Sequence, residues 1–375
     1  MPPSKSSAPI ALALLGTLTV ILVSGLWPFN PFPANHLTWL KEENGLEFEE
    51  EAILVSRAPF DFSGPDWSSI SLEFWLQPRS NWRNTTTFFA IYTPENPRQF
   101  RMMQYKNELL VRRERKGEGA QGDIAIAVAI FLNAPVFVTI TSGPKGTWVF
   151  ANGKPVHEFP RCVLSGRDLS GQLIIGSSPF DARTWAGEWK GLAMYGADLS
   201  PAEVLDHYEK WTSGRQAELI PGFTPTTLFD FHERAGETVH DLAGRTPHLF
   251  IPKHYFVPHK PVLQTPWDEY RSTGASTAHI AADVALNIAG FVPLGLLLSA
   301  YFWCFTRSKH PVSTAILLGA LTSLTIELLQ AYIPQRRSGM TDMLTNTFGT
   351  ALGAVSCGVE KVRVILAKLG LSQQK

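Results

Sequence analysis

Four stretches of the chain are apolar and nearly free of charge: residues 10–26, 280–305, 312–333 and 343–359. At ~1.5 Å of rise per residue, such helices reach, or nearly reach, across a hydrocarbon layer roughly 30 Å thick. The pattern therefore predicts four membrane-spanning helices. A fifth apolar stretch, 124–140, reads differently. It alternates as Ile124-Ala125-Ile126-Ala127-Val128, is rich in β-branched residues, and breaks at Asn133-Ala134-Pro135. Alternation of period two predicts a pair of strands there rather than a span.

Between the first and second spans, short alternating runs recur about every ten residues. They include 70–76, 86–92, 108–112, 136–141 and 147–150, separated by Gly, Pro and Asn. That spacing predicts an all-β sandwich. Asn152-Gly153 closes a hairpin, because both residues tolerate positive φ. Ser200 reads as a helix N-cap, with Pro201 at the first helical position and Glu203 completing a capping box. The expected architecture is multi-domain: an all-β sandwich plus an α-helical transmembrane bundle of four spans. Its parts are a stub and first span (1–27), the sandwich with linkers (28–270), three more spans (271–360) and a basic tail (361–375).

Charge sharpens this division. Lys+Arg 33 balances Asp+Glu 33 over 375 residues, so the basic excess of a nucleic-acid binder is missing. The balance sums unlike parts: residues 28–270 hold 23 basic and 29 acidic side chains, and 271–375 hold 9 and 4. Cys162, Cys304 and Cys357 are too far apart for a disulfide scaffold or a thiolate zinc site. Basic residues flank the spans at Lys5, in the connection 306–310, and in the tail at Lys361, Arg363, Lys368 and Lys375. The positive-inside rule then places these flanks in the cytoplasm and residues 28–278 outside a plasma (inner) membrane. Arg336 and Arg337 break the rule in the short outer turn between the last two spans, which points to a task there.

The last three spans carry more polar groups than packing requires. His279, Asp283 and Asn287 share one helix face, Ser323, Glu327 and Gln330 share another, and Asp342 and Asn346 lie one turn apart on the last. Counting ~1.5 Å per residue puts Asn287 about 12 Å below His279 and Glu327 about 10 Å below Pro334. The polar groups thus share one level in the outer half of the bilayer. An unpaired charge at that depth costs on the order of 3 kcal/mol, so these groups should face one another. Arg336 is the natural partner for Glu327 or Asp342. Interhelical hydrogen bonding alone accounts equally well for Asn287, Gln330 and Asn346. Gly349 and Gly353 form a stripe that lets the last span approach a neighbour closely.

Several motifs resemble known families. Ser71-Leu72-Glu73-Phe74-Trp75-Leu76, the Val149-Phe150-Ala151-Asn152-Gly153-Lys154 hairpin and Leu173-Ile174-Ile175-Gly176 resemble strands of laminin-G-like, concanavalin-A-type sandwiches. So do Trp189-Lys190-Gly191-Leu192-Ala193-Met194-Tyr195 and the helix start at Leu199-Ser200-Pro201. This resemblance covers residues 44–260. Residues 228–244 resemble the strand that usually opens such a domain, yet they come late, as in a circularly permuted order.

Asn287-x3-Phe291-x-Pro293-x-Gly295 resembles VanZ-like membrane proteins. The run Ser323, Glu327, Gln330, Pro334, Arg336, Asp342, Asn346, Gly349, Gly353 is similar to that family's central signature, over residues 280–358. Many members have an acidic residue three after the arginine, where this chain has Gly339. The family commonly adds a span ahead of this region, followed by a Pro-containing outer segment, and residues 10–26 with Trp27-Pro28-Phe29 fit that role. Val23-Ser24-Gly25 also fits a signal-peptide cleavage site. The resemblance favours a retained span, with the sandwich inserted in the outer loop. Founding members are linked to low-level resistance to glycopeptide antibiotics such as teicoplanin, without a defined reaction.

Three functions fit these features. The first is a non-enzymatic envelope protein that binds a surface glycan or a lipid-linked polymer, with Arg336 contacting an anionic group. The second is an enzyme acting on a lipid-linked envelope precursor, with Glu327 or Asp342 as acid/base and Arg336 stabilising developing charge. The third is a structural adaptor whose sandwich binds a protein. Concanavalin-A-type sandwiches sometimes bind glycans through calcium, but no acidic loop here is dense enough to specify that ion. His232, His240, His248, His254 and His259 are too irregularly spaced to predict a metal site, and no cofactor is implied. Asn84-Thr85-Thr86 fits a glycosylation sequon, a pattern common by chance.

Overall fold

Strand alternation builds two eight-stranded antiparallel sheets from residues Phe32–Lys260, one of two compact units in the chain. The computed structural model describes residues 7–371 except 65–66, 80–84, 116–123, 130–133, 221–224, 267–276 and 307. The sequon residue Asn84, Asn133, Lys5, Arg307 and Lys375 lie outside the described residues.

The first sheet runs Leu37–Trp39, Leu46–Phe48, Gly187–Tyr195, Ile70–Pro78, Val136–Gly143, Gly146–Ala151, Lys154–Phe159, with Thr227–Phe229 also paired on Gly187–Tyr195. The second runs Thr238–Val239, Leu249–Phe250, Leu54–Ser56, Gln172–Ile175, Thr86–Tyr92, Phe100–Tyr105, Glu108–Arg113, Ile124–Ala129. The alternating stretch 124–140 does split into two strands, Ile124–Ala129 and Val136–Gly143, which sit in different sheets. Asn152 and Gly153 take φ of 50° and 75°, the positive values the hairpin demands.

Between the sheets, Phe74 packs edge-on against Phe89 of the opposite sheet at 5.3 Å and against Trp189 of its own at 5.6 Å. The late segment 227–250 completes both sheets, through Thr227–Phe229 in one and Leu249–Phe250 in the other. The ends of the unit also meet: Asn35 N–H donates to Lys253 O at 3.1 Å, and Tyr255 N–H to Pro33 O at 2.9 Å. A domain with adjoining ends can be inserted into a loop without stretching its flanks.

The helices are α1 (Ala8–Leu26), α2 (Gly166–Leu169), α3 (Pro201–Thr212), α4 (Thr277–Phe305), α5 (Pro311–Gln330), α6 (Met340–Ser356) and α7 (Glu360–Lys368). In α3 the capping box forms as read: Ser200 N–H donates to the Glu203 carboxylate at 2.7 Å. The bundle α1, α4, α5 and α6 belongs to the second unit, Met1–Pro31 with Pro261–Lys375. Among the described residues three helices are long and apolar enough to cross a membrane, α1, α4 and α5. With 17 residues, α6 has the length of the apolar run expected at 343–359 but lies three residues upstream, Met340–Ser356.

Small residues set how closely the bundle packs. A Cβ on Gly349 would overlap the Ile288 carbonyl oxygen, and one on Gly353 the Val292 carbonyl oxygen. From the other side, Gly295 abuts the Thr350 carbonyl, and Gly319 of α5 meets the Thr350 side chain. Absence of side chains lets α4 and α6 touch backbone to backbone, which is where van der Waals attraction between membrane helices is gained. Phe291 and Leu294 turn from α4 into an apolar layer with Ile21 of α1 and Ile326 of α5.

Candidate functional site in the helical bundle

Polar side chains from α4, α5 and α6 pair across the bundle. Asn287 Nδ2 on α4 donates to Asp342 Oδ1 at 2.7 Å, in the first turn of α6. An acidic group there also meets the positive end of the helix dipole. One turn further along α6, Asn346 Nδ2 donates to Ser323 Oγ of α5 at 3.0 Å. The Asn346 Oδ1 acceptor is buried with no hydrogen-bond partner among the described residues. Gln330, at the end of α5, donates through Nε2 to the Gly25 carbonyl of α1 at 2.6 Å. The arrangement thus ties all four helices together with hydrogen bonds.

Glu327 is the most deeply placed charge-bearing group of the set, 1% exposed. Its Oε2 accepts the Gly339 N–H at 2.7 Å. Gly339 is the N-cap residue of α6, so its N–H lies at a helix start, a position that favours an anion. The place where VanZ-like proteins commonly carry an acid therefore supplies a backbone donor here.

Two readings from the sequence need correction. Asp283 lies on an exposed part of α4 and, among the described residues, makes no hydrogen bond or ion pair into the cluster. One turn of helix separates it from Asn287, but that turn carries it beyond the packed part of the bundle. Arg336 makes no ion pair with Glu327 or Asp342 among the described residues. Its backbone N–H donates to Ile333 O at 3.0 Å, and its half-buried side chain is left available. The reason is local: the tight turn after α5 presents the Gly339 N–H to Glu327 instead.

Sequence reasoning missed a strap over this turn. Gln264 N–H donates to Ser338 O at 2.9 Å, Met340 N–H returns to Gln264 O at 2.8 Å, and Leu263 N–H donates to Ser338 Oγ at 3.0 Å. No periodicity marks residues 261–266, so only a pairing partner distant in sequence could reveal this short parallel bridge.

Reading also passed over a buried cluster in the sandwich. Glu73, fully buried on the outer face of its strand, accepts from Tyr195 Oη at 2.9 Å and Trp211 Nε1 at 3.1 Å. His207 Nδ1 lies 2.7 Å from its other oxygen. Burial, and then the Glu73 charge, hold the Tyr195 phenol far above its ordinary range, so it remains a donor. The available signal was the four-residue spacing of His207 and Trp211 on α3, above an acid in an apolar strand.

The five histidines between 232 and 259 each have a partner of their own. His232 Nδ1 pairs with Asp230 at 2.6 Å, His240 Nδ1 with Glu233 at 3.0 Å, and His248 Nδ1 accepts the Asp241 N–H at 3.1 Å. His254 Nδ1 lies 3.1 Å from Phe32 O, and His259 packs edge-on to Tyr92 at 5.1 Å. Among the described residues no group of three or more His, Cys, Asp or Glu is arranged to hold a metal ion.

Fold and site together define a membrane protein in which a helical bundle with a buried polar cluster carries an all-β sandwich in the same chain. Residues 225–360 match the VanZ/LLP1 family model, and residues 55–205 match the laminin-G model of the concanavalin A-like lectin/glucanases superfamily. The VanZ match thus begins ahead of the membrane motifs, within the last strands of the sandwich.

Among solved structures, a native heptameric SAP-like pentraxin from Limulus polyphemus is similar at 16% identity, over 47% of this chain and 79% of that one, with a TM-score of 0.32. The receptor binding domain of a botulinum neurotoxin C/D mosaic serotype is similar at 12% identity, over 47% of this chain, with a TM-score of 0.36. The binding domain of botulinum neurotoxin DC, solved in complex with rat synaptotagmin II, is similar at 14% identity, over 48% of this chain, with a TM-score of 0.36. The chain spans less than half the length of these two neurotoxin domains, 45% and 46%. No curated protein matches the chain.

Proposed function

We propose that this protein is a non-enzymatic, multi-pass component of a bacterial cell envelope, with α6 as a fourth span and the sandwich on the extracytoplasmic side. In this reading the outer end of the bundle receives the anionic head of a lipid-linked envelope component, and the sandwich contacts the attached or neighbouring glycan. The observation that carries it is Arg336: a half-buried arginine in the turn between α5 and α6, with no ion pair to Glu327 or Asp342 among the described residues. A guanidinium so placed is suited to a bidentate anion contact. The Asn346 Oδ1 acceptor, buried without a hydrogen-bond partner among the described residues, is suited to a hydroxyl donor rather than to the anion itself. Glycan binding by the sandwich is supported by its lectin-superfamily match.

The test uses the full chain in its membrane, with Arg336→Lys, Glu327→Gln and Asp342→Asn each scored for glycopeptide susceptibility and for retention of envelope lipids on purification. Arg336→Lys should lose lipid retention while the protein remains folded. If all three variants behave as the parent, the bundle is only an anchor and the adaptor reading replaces this one. Loss with Glu327→Gln but not with deletion of residues 45–260 would favour the enzyme. Binding of the full-length protein to an array of envelope glycans tests the sandwich separately.

A further inference from the structure

Helix α7 follows α6 across Cys357-Gly358-Val359, joined by tight turns such as Gly358 N–H to Val355 O at 2.9 Å. Because α6 packs along α4 and α5, α7 begins at the end of the bundle, where a membrane protein meets the lipid boundary. One side of α7 is already covered. Val362 and Leu366 pack with Ile10 of α1, Leu297 and Ala300 of α4, and Cys357. At about 100° per residue, Ile365 and Leu369 fall together on the adjoining sector. They are 56% and 64% exposed.

Basic groups border that open stripe. Lys361 precedes Ile365 by one turn, Lys368 lies two turns beyond Lys361, and both are exposed. Past the covered side formed by Val362 and Leu366, the Arg363 guanidinium sits over the Trp303 ring, 5.9 Å from its centre, near the end of α4. Against these three cations α7 has a single acid, Glu360. An apolar stripe bordered by cations, beside a tryptophan at a span end, has the chemistry of a helix lying in the interface of a negatively charged leaflet.

We infer that α7 is an interfacial helix that beds Ile365 and Leu369 among acyl chains and sets Lys361, Arg363 and Lys368 against anionic lipid headgroups. The occupant of the stripe is the lipid surface itself. Lipid surrounds every span of the bundle, and the charge of the flanks selects its acidic headgroups.

The full-length protein is placed in nanodiscs of phosphatidylcholine alone, or with added phosphatidylglycerol, and amide exchange is followed across residues 360–369. Exchange should be slower in the anionic discs. Each of Lys361→Gln, Arg363→Gln and Lys368→Gln should reduce that difference about fivefold. Ile365→Asp should speed exchange in both lipids, while α5 stays protected. Equal exchange of the unaltered protein in the two lipids would overturn the inference without recourse to any variant. So would a triple Gln variant that still distinguishes them.

Discussion

The Gly339 N–H points at the Glu327 carboxylate across 2.7 Å, joining the end of one bundle helix to the start of the next. That contact closes the turn that holds Arg336 and helps to fix the buried acid in place. Replacing Glu327 by Ala leaves the buried Gly339 N–H without this acceptor, which costs about 1–3 kcal/mol. Glu327→Gln keeps an acceptor and should be milder. Thermal unfolding of the purified protein in nanodiscs should rank them parent, Gln, Ala.

Close approach of α4 and α6 gives a second prediction. Gly349→Ala and Gly353→Ala each drive a methyl into a backbone carbonyl that cannot rotate away, and should destabilise by about 1–3 kcal/mol. Gly290→Ala on α4 meets nothing within 4 Å and should be neutral or slightly stabilising. The contrast between similar substitutions separates packing from helix propensity, and unfolding midpoints in one detergent read it out.

In the sandwich, Tyr195→Phe removes one of the donors on buried Glu73 and should cost about 1–3 kcal/mol. His207→Phe removes another. Because Glu73 is shared, the two losses should be non-additive in a double-mutant cycle. Denaturant unfolding followed by tryptophan fluorescence checks this, since Trp211 touches the same carboxyl group.

His232 supplies a pH test. Its hydrogen bond to Asp230 raises its pKa above the usual value of 6.5, with the Asp230 and Glu233 charges adding to the effect. A raised folded-state pKa means that the stabilisation is fully present below about pH 6.5 and fades as pH climbs through the folded value. With the side chain 47% exposed, solvent screens the pair and the contribution is small. Proton-resonance titration should show His232 titrating high, and Asp230→Asn should return it toward 6.5.

Much of this was legible in order along the chain. Period-two runs marked the strands, uncharged stretches marked the helices, and Ser200 with Glu203 marked the start of α3. Four-residue spacing fixes direction around a helix axis, and from it came the expectation that these polar groups face one another; the structure pairs Asn287 with Asp342 and Asn346 with Ser323. Spacing does not say which groups meet across a gap. It placed Asp283 with Asn287 although packing ends between them, and it assigned Arg336 to a carboxylate that the Gly339 N–H occupies.

By itself the sequence determined the periodicities, the partition of charge and the motifs of both families, since these depend only on neighbours a few residues apart. Tertiary structure alone decided the partners. The Gln264 strap on Ser338 and Met340, the Asn287–Asp342 pair and the Glu73 cluster all join positions tens to more than a hundred residues apart. Such pairings are set by helix rotation and sheet register, where an error of one residue turns a side chain to another face.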